Sequence, residues 1–339
     1  MRFGYWMPVF GGWLRNVTDE GMPVSWPYLR ELAVESERLG FDLSLLAELN
    51  LNDIKGHRAP AADAWTLGAA LAGVTSTLEL MLAVRPNYHA PSLTAKALST
   101  LDLIAPGRVS LNVVSSWWKD EAAQYGMPFD VHDARYQRTE EWLTVLRALL
   151  TEPTVTHHGD LYDLDGAILE PKPSAPVDVY MGGESPRALQ VIAEHGDAYV
   201  MHGDAPEVVG DRIARISGLR AEAGGAPLRF GLSGYVIVRD TEAEARAELD
   251  RILDVRSSPD AYASYQDFVK GSQLESEVSL REYSVSNRGL RAGLVGTSEQ
   301  VAARIRAYEE VGVGLMLLQF SPQAEEMARF AEQVIPRFR

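Results

Sequence analysis

The alternation of apolar and helical segments constrains this chain more than any other feature of its sequence. Eight short apolar runs recur along its 339 residues, and segments with the 3.6-residue period of helices separate them. The runs are 2–8, 42–47, 78–84, 108–114, 177–181, 198–202, 229–238 and 314–320. Most are apolar at nearly every position, which is typical of strands buried on both faces. The sequence therefore predicts repeated βα units and a parallel sheet.

Residues that favour helix ends lie between these runs. Ser25 is expected to begin a helix that Gly40 ends, and Thr241 and Thr297 each have an acceptor three residues later, the spacing of a capping box. Eight strands with intervening helices favour an α/β fold of the (β/α)₈ TIM-barrel type, in a single domain over 1–339 with insertions after strands 4 and 7. An open doubly wound sheet would be expected to carry a glycine-rich dinucleotide turn, and the sequence has none.

Composition excludes several classes of function. The chain has 32 basic and 47 acidic residues, and its net charge of −15 disfavours binding to nucleic acid and to anionic membrane surfaces. It has no cysteine, which excludes disulfides, thiolate nucleophiles and zinc–cysteine sites. The spacing of the histidines indicates no metal site, and only His89 and His202, which follow strands, are singled out for testing. Without an apolar span or a signal-peptide pattern, we expect a cytoplasmic protein.

Two connections between predicted strands, 115–176 and 239–313, are too long for one helix. The second contains 257–291, which is polar, rich in serine, glutamate and tyrosine, and without clear periodicity. Long connections of this kind are usually active-site lids or disordered segments. We therefore expect a mobile lid at 257–291.

In a barrel the active site lies at the carboxyl ends of the strands. Gly182-Gly183-Glu184-Ser185 follows the fifth predicted strand, where glycines let the backbone approach a ligand and the next helix offers its N–H groups to a phosphate. The same residues also fit a tight turn with Ser185 as the N-cap. Likewise, Arg135 and Tyr136 fit either phosphate donors or a solvated first turn of a helix, and Trp117 fits either the core or a pocket wall.

Several segments resemble, in the right order, the bacterial luciferase-like superfamily of flavin-dependent monooxygenases. They are 41–50 (FDLSLLAELN), 63–65 (DAW), 83–86 (AVRP), 101–108 (LDLIAPGR), 111–116 (LNVVSS), 132–136 (HDARY), 181–185 (MGGES) and 294–303 (LVGTSEQVAA). The resemblance covers nearly the whole chain. It is strongest to the two-component dimethylsulfone monooxygenases, near the alkanesulfonate and pyrimidine enzymes.

This resemblance implies a barrel that receives reduced FMN (FMNH₂) from a separate NAD(P)H-dependent FMN reductase and uses O₂ to oxygenate a small substrate. We also expect a homo-oligomer, either a dimer or a tetramer. The positions that match flavin-binding residues of the family are Ala47, Glu48, Asn112, Glu121, Arg135, Tyr136, Gly182, Gly183 and Ser185.

Three positions at which this sequence differs from the alkanesulfonate enzymes indicate which kind of substrate it binds. Those enzymes carry an arginine and a histidine where this chain has Ser233 and Tyr235, and a histidine where it has Phe10. A sulfonate keeps its negative charge and needs a cationic partner once desolvated, whereas a neutral sulfone needs only a hydrogen-bond donor among apolar walls. We therefore expect these three residues, with Trp13 and Trp117, to bind a small neutral organosulfur compound, with dimethylsulfone converted to methanesulfinate.

Arg288 and Arg291, near the end of the predicted lid, resemble the mobile arginine of the sulfonate enzymes. They are expected either to close over the flavin or to lie on the surface.

Two alternative functions stay open. One keeps the flavin and changes the substrate to an alkanesulfonate or a pyrimidine, and the other is a flavin-binding barrel without catalysis.

Overall fold

A closed sheet of eight parallel strands organises the molecule, whose computed structural model describes residues 1–255 and 279–339. Pairing runs in the order β1-β2-β3-β4-β7-β8-β9-β11, and β11 pairs with β1 to close the barrel. The strands are β1 (Arg2–Trp6), β2 (Leu43–Leu46), β3 (Glu79–Val84), β4 (Val109–Val113), β5 (Val155–His158), β6 (Asp163–Ala167), β7 (Val179–Met181), β8 (Ala198–His202), β9 (Arg229–Val238), β10 (Leu294–Gly296) and β11 (Leu315–Gln319). The eight predicted runs coincide with the barrel strands, so the TIM-barrel prediction is confirmed.

Helices connect the strands, and several begin and end where the sequence predicts. Gly40 ends the first helix with a φ of 85°, and capping boxes form at Thr241 and Thr297. The helices are α1 (Trp26–Leu39), α2 (Ala64–Ala72), α3 (Pro91–Ile104), α4 (Lys119–Gln124), α5 (His132–Thr151), α6 (Pro186–His195), α7 (Pro206–Glu222), α8 (Glu242–Leu253), α9 (Leu280–Tyr283), α10 (Ser298–Glu310) and α11 (Gln323–Gln333), with 3₁₀ segments at Ser286–Ala292 and Ile335–Phe338. Across the two described ranges, none of the helices is both long and apolar enough to cross a bilayer.

Two long connections interrupt the regular βα order. The connection from β4 to β7 contains α4, α5 and the antiparallel hairpin β5–β6. The hairpin is mostly polar and partly exposed, so it lacks the apolar pattern that would have predicted it. The connection from β9 to β11 contains β10, which pairs with β9. Of the predicted lid, 257–278 lies outside the described residues, and the remainder is formed by α9 and the following 3₁₀ segment.

Apolar side chains fill the amino-terminal part of the barrel interior. This inner layer consists of Leu43, Leu45, Met81, Tyr180, Ala198, Leu315 and Leu317. A second and larger apolar core lies between the strands and the surrounding helices. Because the inner layer fills one end of the barrel interior, the interior opens toward the carboxyl ends of the strands, where a cavity lies.

Removing a capping box should weaken the fold by a measurable amount. In α8, the Thr241 hydroxyl accepts from Glu244 N–H at 3.2 Å, and Glu244 accepts from Thr241 N–H at 3.0 Å. Thr241→Ala should lower the free energy of unfolding by about 1 kcal/mol in urea denaturation. Thr100→Ala is the control, because that hydroxyl donates to a carbonyl within its own helix, α3. Equal losses in the two variants would show that the cap contributes nothing specific.

Candidate active site

A cavity of about 370 Å³ opens at the carboxyl ends of the barrel strands. Its floor is formed by Trp6, Leu45 and Val200, which lie at the top of the inner apolar layer. Loops after the strands form its walls, and residues 282–288 contribute a further side. The volume lies within the range of small-molecule sites, which are usually concave and mostly apolar.

The structure brings most of the predicted site residues to this cavity. Those that line it are Phe10, Trp13, Ala47, Glu48, Asn112, Trp117, Arg135, Tyr136, Gly182, Gly183, Ser233 and Arg288. Four predicted residues, Glu121, Ser185, Tyr235 and Arg291, are not part of its lining. Each of the four is held behind the wall by a specific contact.

The segment that follows α9 covers Tyr235, and Arg291, which belongs to that segment, pairs with α9 and does not line the cavity. A Cβ placed on Gly289 would lie 2.8 Å from Cβ of Tyr235, so this glycine packs directly on the tyrosine and covers it. Tyr235 is 1% exposed, and burial raises the pKa of its hydroxyl above its ordinary value. Arg291 hydrogen-bonds through Nε to Glu282. In this conformation, therefore, the cavity is not lined by Tyr235, which we expect to bind the substrate, or by Arg291, which we expect either to close over the flavin or to lie on the surface.

Glu121 is buried in an ion-pair network beneath the cavity wall. It accepts hydrogen bonds from two nitrogens of Arg85, from the Tyr88 hydroxyl at 3.2 Å and from the backbone N–H of Asn50. Arg85 is 2% exposed and also donates through Nε to Glu48 at 3.3 Å. Burial alone would lower the pKa of Arg85, but the two carboxylates outweigh it and hold the pKa above its ordinary value. Glu121 thus neutralises an arginine and does not line the cavity.

Ser185 is the N-cap of α6 and lies beneath the turn at Gly182-Gly183. Its Oγ accepts from Ala188 N–H at 3.0 Å, which leaves the hydroxyl proton able to donate. Gly183 has a φ of 151°, and a Cβ there would lie 2.6 Å from that of Ala188 and 3.6 Å from the Tyr136 hydroxyl. Only glycine fits this position, so the backbone, a helix N-terminus and a phenol hydroxyl meet at the cavity edge.

Backbone strain is concentrated at the cavity. Among the residues described, the non-glycine residues with positive φ are Ser116 (42°), Asn287 (53°) and Arg288 (51°), and all three line it. The carbonyl of Ser116 accepts a hydrogen bond from Arg135, so one strained residue orients a predicted anion-binding side chain. Strain of this kind is usually found at functional sites. A sequence pattern does not reveal it, because none of the three positions is a glycine.

Aromatic residues and one hydroxyl form the least polar wall. Phe10 and Trp13 come from the first loop, and Trp117 stacks on Trp118 with ring centroids 5.6 Å apart and planes 7° apart. Ser233 projects from β9 into the cavity, and its buried Oγ has no hydrogen-bond partner within the described part of the chain. An unpaired buried hydroxyl costs free energy, which a ligand that accepts its hydrogen bond would recover.

Buried polar groups hold the first loop against the barrel. Glu20 Oε1 accepts from the N–H of Trp13 at 2.8 Å and from Lys55 Nζ at 2.5 Å. Burial lowers the pKa of Lys55, although the charge of Glu20 opposes this shift. The Asn52 side chain donates to the carbonyl of Phe10 at 2.8 Å. These supporting residues carry no recognisable motif, so sequence reasoning missed them.

Glu184, in the turn before α6, links two cavity residues. Its carboxylate contacts His202 Nδ1 at 3.2 Å and Arg288 Nη1 at 3.3 Å. The hydrogen bond with His202 and the nearby positive charges outweigh partial burial and lower the pKa of Glu184 to about 2. The segment carrying Arg288 is therefore held to the carboxyl ends of β7 and β8 by an ionised carboxylate.

A cluster of three ionisable side chains lies away from the cavity, between α5 and α6. Ligand atoms of Glu140, Glu194 and His195 lie within 4.8 Å of one another. Spacing did not predict this group because two helices supply it. Arg187 already pairs with Glu140, so part of the negative charge is balanced.

Fold and cavity together define an α/β-barrel enzyme with its active site at the carboxyl ends of the strands. The chain belongs to the luciferase-like monooxygenase family, whose model matches residues 1–314. This confirms the predicted family and the expectation of an oxidoreductase.

Individual relatives are consistent with this assignment. The chain is 32% identical over 351 aligned positions to an FMNH₂-dependent dimethylsulfone monooxygenase of Pseudomonas putida, covering 100% of this chain and 95% of the relative. Among solved structures, long-chain alkane monooxygenase LadA matches with a TM-score of 0.84 at 20% identity, covering 100% and 91% of the two chains. Riboflavin lyase with modified FMN and riboflavin matches with a TM-score of 0.80 at 20% identity, with the same coverage. At such identity these two structures support the fold alone.

The contacts of Glu184 predict a pH dependence of stability. Because its pKa is lowered, its contribution is present above the ordinary glutamate pKa and is lost as the pH falls toward the folded value of about 2. Between about pH 5 and pH 3, the free energy of unfolding should therefore fall more steeply in the wild type than in Glu184→Gln. Glu31→Gln, which changes an exposed carboxylate on α1, is the control and should follow the wild type. Parallel curves for wild type and Glu184→Gln would contradict the prediction.

Proposed function

We propose that this protein is a two-component monooxygenase that takes FMNH₂ from a separate NAD(P)H-dependent FMN reductase and uses O₂ to oxygenate a small neutral organosulfur compound. Dimethylsulfone, converted to methanesulfinate, is the substrate we favour. Family membership and the similarity to FMNH₂-dependent relatives support the cofactor. The observation that carries the substrate class is the unpaired hydroxyl of Ser233 in an aromatic-walled cavity.

The donor set suits the phosphate of FMN. The turn at Gly182-Gly183 brings the backbone and the start of α6 to the cavity edge, with the Tyr136 hydroxyl beside it. Arg135 lines the same cavity and would add a charge-assisted bond. Asn112 can offer both a donor and an acceptor to the polar edge of the flavin ring. When bound, the reduced flavin would supply the two electrons that O₂ requires.

The charges around the cavity favour a neutral substrate. Arg85 is paired with Glu48 and Glu121, and Arg288 is paired with Glu184. A sulfonate entering this cavity would therefore meet arginines that are already paired with carboxylates. Burying an unpaired neutral polar group costs about 2–7 kcal/mol, and burying the unpaired charge of a sulfonate would cost more. A sulfone oxygen needs only a donor, which Ser233 provides.

A sulfonate is the second candidate substrate, because Arg288 lies in the cavity wall and an anion could compete with Glu184 for it. A homo-oligomeric state and a cytoplasmic location stay predictions. So do the expected movement of the lid and the pyrimidine alternative.

The phosphate site is tested by comparing two flavins. Losing a hydrogen bond to a charged group costs about 1.5–3 kcal/mol, so Arg135→Ala should weaken FMN binding by roughly one to two orders of magnitude. Riboflavin, which has no phosphate, should bind wild type and variant alike. Both affinities are measured by quenching of flavin fluorescence.

The matched control is Arg138→Ala. Arg138 lies one turn further along α5, is paired with Asp130 at 2.7 Å and is not part of the cavity lining. Its loss should leave FMN binding within about twofold. If Arg135→Ala lost affinity for FMN and for riboflavin equally, Arg135 would not be a phosphate-binding residue.

The substrate class is tested by product analysis with a supplied FMN reductase. The wild type should turn over dimethylsulfone in preference to methanesulfonate by more than about a hundredfold in kcat/KM. Ser233→Ala should lose sulfone turnover selectively, because it removes the donor with little change in volume. Ser233→Arg should narrow or reverse the preference, since it adds a cation beside the anion. Equal turnover of both compounds by the wild type would favour the sulfonate alternative.

A further inference from the structure

We propose that His89 and Glu48 form a proton relay that crosses the cavity wall and connects solvent with the reacting oxygen. This inference rests on the proposed oxygenation in the cavity but not on the identity of the substrate. Both residues follow neighbouring barrel strands, and β2 pairs with β3, so their loops meet at the same rim. The function described above gives His89 no role.

The two side chains span the wall from one side to the other. Glu48 lines the cavity, and its side chain is 7% exposed. His89 lies behind it, is not part of the cavity lining, and keeps 28% of its side chain exposed. His89 Nε2 is hydrogen-bonded to Glu48 Oε1. A proton that enters at the histidine therefore needs one transfer to reach a group that faces the cavity.

Surrounding groups fix both members of the pair. Arg85 Nε donates to the other carboxylate oxygen of Glu48 at 3.3 Å, which orients the carboxylate. The Trp142 indole donates to the backbone carbonyl of His89 at 2.8 Å, and the Trp65 ring lies 5.7 Å from the imidazole. A relay requires this kind of fixed geometry, because proton transfer occurs only across hydrogen-bond distances.

The carboxylate of the pair lies in a network of charged groups. Glu48 and Glu121 both pair with Arg85, and the Tyr88 hydroxyl donates to Glu121 at 3.2 Å. Two carboxylates therefore face one guanidinium beside the hydrogen bond between His89 and Glu48.

The proposed step balances within the monooxygenase reaction. One oxygen atom of O₂ enters the substrate and the other leaves as water, which consumes two electrons and two protons; oxidation of FMNH₂ to FMN releases the same number of each. Glu48 would deliver the two protons to the departing oxygen one after the other. After each transfer His89 Nε2 would reprotonate Glu48, and solvent would reprotonate His89. The protons released from the flavin return to solvent, so the cycle is closed.

Two histidines line the cavity itself, and both are paired differently from His89. His132 contacts the exposed carboxylate of Asp133 at 2.8 Å. His202 contacts Glu184, whose pKa is lowered to about 2, so this carboxylate stays ionised and has no proton to give near neutral pH. Glu184 also contacts Arg288, which favours its charged form further. The geometry therefore points to His89, and not to His202, as the route for protons.

The test uses single-turnover oxidation of the FMNH₂-loaded protein by O₂, followed by the absorbance of oxidised FMN with no substrate present. Release of the reduced oxygen then also needs a proton, so the result does not depend on which substrate is correct. His89→Ala should slow the formation of oxidised FMN by about 10–100-fold, with a steeper loss of rate as the pH rises. Added imidazole should restore much of the rate.

Two further measurements separate a relay from a structural role. Equilibrium binding of FMN should change by less than about twofold in His89→Ala, because the histidine does not line the cavity. His157→Ala is the matched control, since His157 forms a similar pair with Glu141 at 3.2 Å, has 24% of its side chain exposed and lies on β5. It should show neither the slower oxidation nor an effect of imidazole.

Several results would overturn the relay. They are an unchanged oxidation rate in His89→Ala, a lower rate that imidazole does not raise, and a lower rate accompanied by an equal loss of FMN affinity. The proposed substrate is tested separately, since a wild type that shows the relay but no turnover of dimethylsulfone contradicts only the substrate. The two proposals can therefore fail independently.

Discussion

Pairing of β11 with β1 is the constraint on which the rest of the structure depends. It closes the sheet, and a closed parallel sheet must fill its interior with side chains and carry its helices outside. The inner apolar layer satisfies the first requirement at the amino-terminal end. The strand ends then converge on one rim, so residues far apart in sequence, such as Glu48, Arg135 and Ser233, meet in one cavity.

The rim is held in place by buried charges, each of which has a partner. Arg85 joins the loops after β2 and β3 to α4 through Glu48 and Glu121, while Lys55 and Glu20 fix the first loop. Removing one member of a buried pair typically costs about 3–5 kcal/mol, because it leaves the other charge unpaired. These pairs add little stability over apolar packing, but they specify loop positions that apolar contacts alone would leave less defined. The loop positions at the rim are consequently specified by ion pairs in addition to apolar packing.

Periodicity predicted the barrel because all eight strands have apolar patterns and clear helix boundaries on either side. The hairpin β5–β6 was missed because few of its residues are buried, and β10 was missed because it has only 3 residues. For the site, most of the residues named by resemblance do line the cavity, but resemblance could not show that Glu121 faces Arg85 or that Gly289 covers Tyr235. Such contacts depend on which side of a loop faces the cavity. Sequence spacing does not contain that information.

The proposed function requires one cavity to hold a doubly charged phosphate and to favour a neutral substrate, and the distribution of its donors is consistent with both. The donors suited to an anion come from α5 and the turn before α6, where Arg135, Tyr136 and the helix start lie. Ser233, from β9, is accompanied by aromatic side chains of the first loop. The other arginines at the rim have carboxylate partners, so their charges do not add to the field in the cavity. Under the proposed function, selectivity would arise because attraction for anions is concentrated where the cofactor would bind, and a second anion would bury its charge without equivalent compensation.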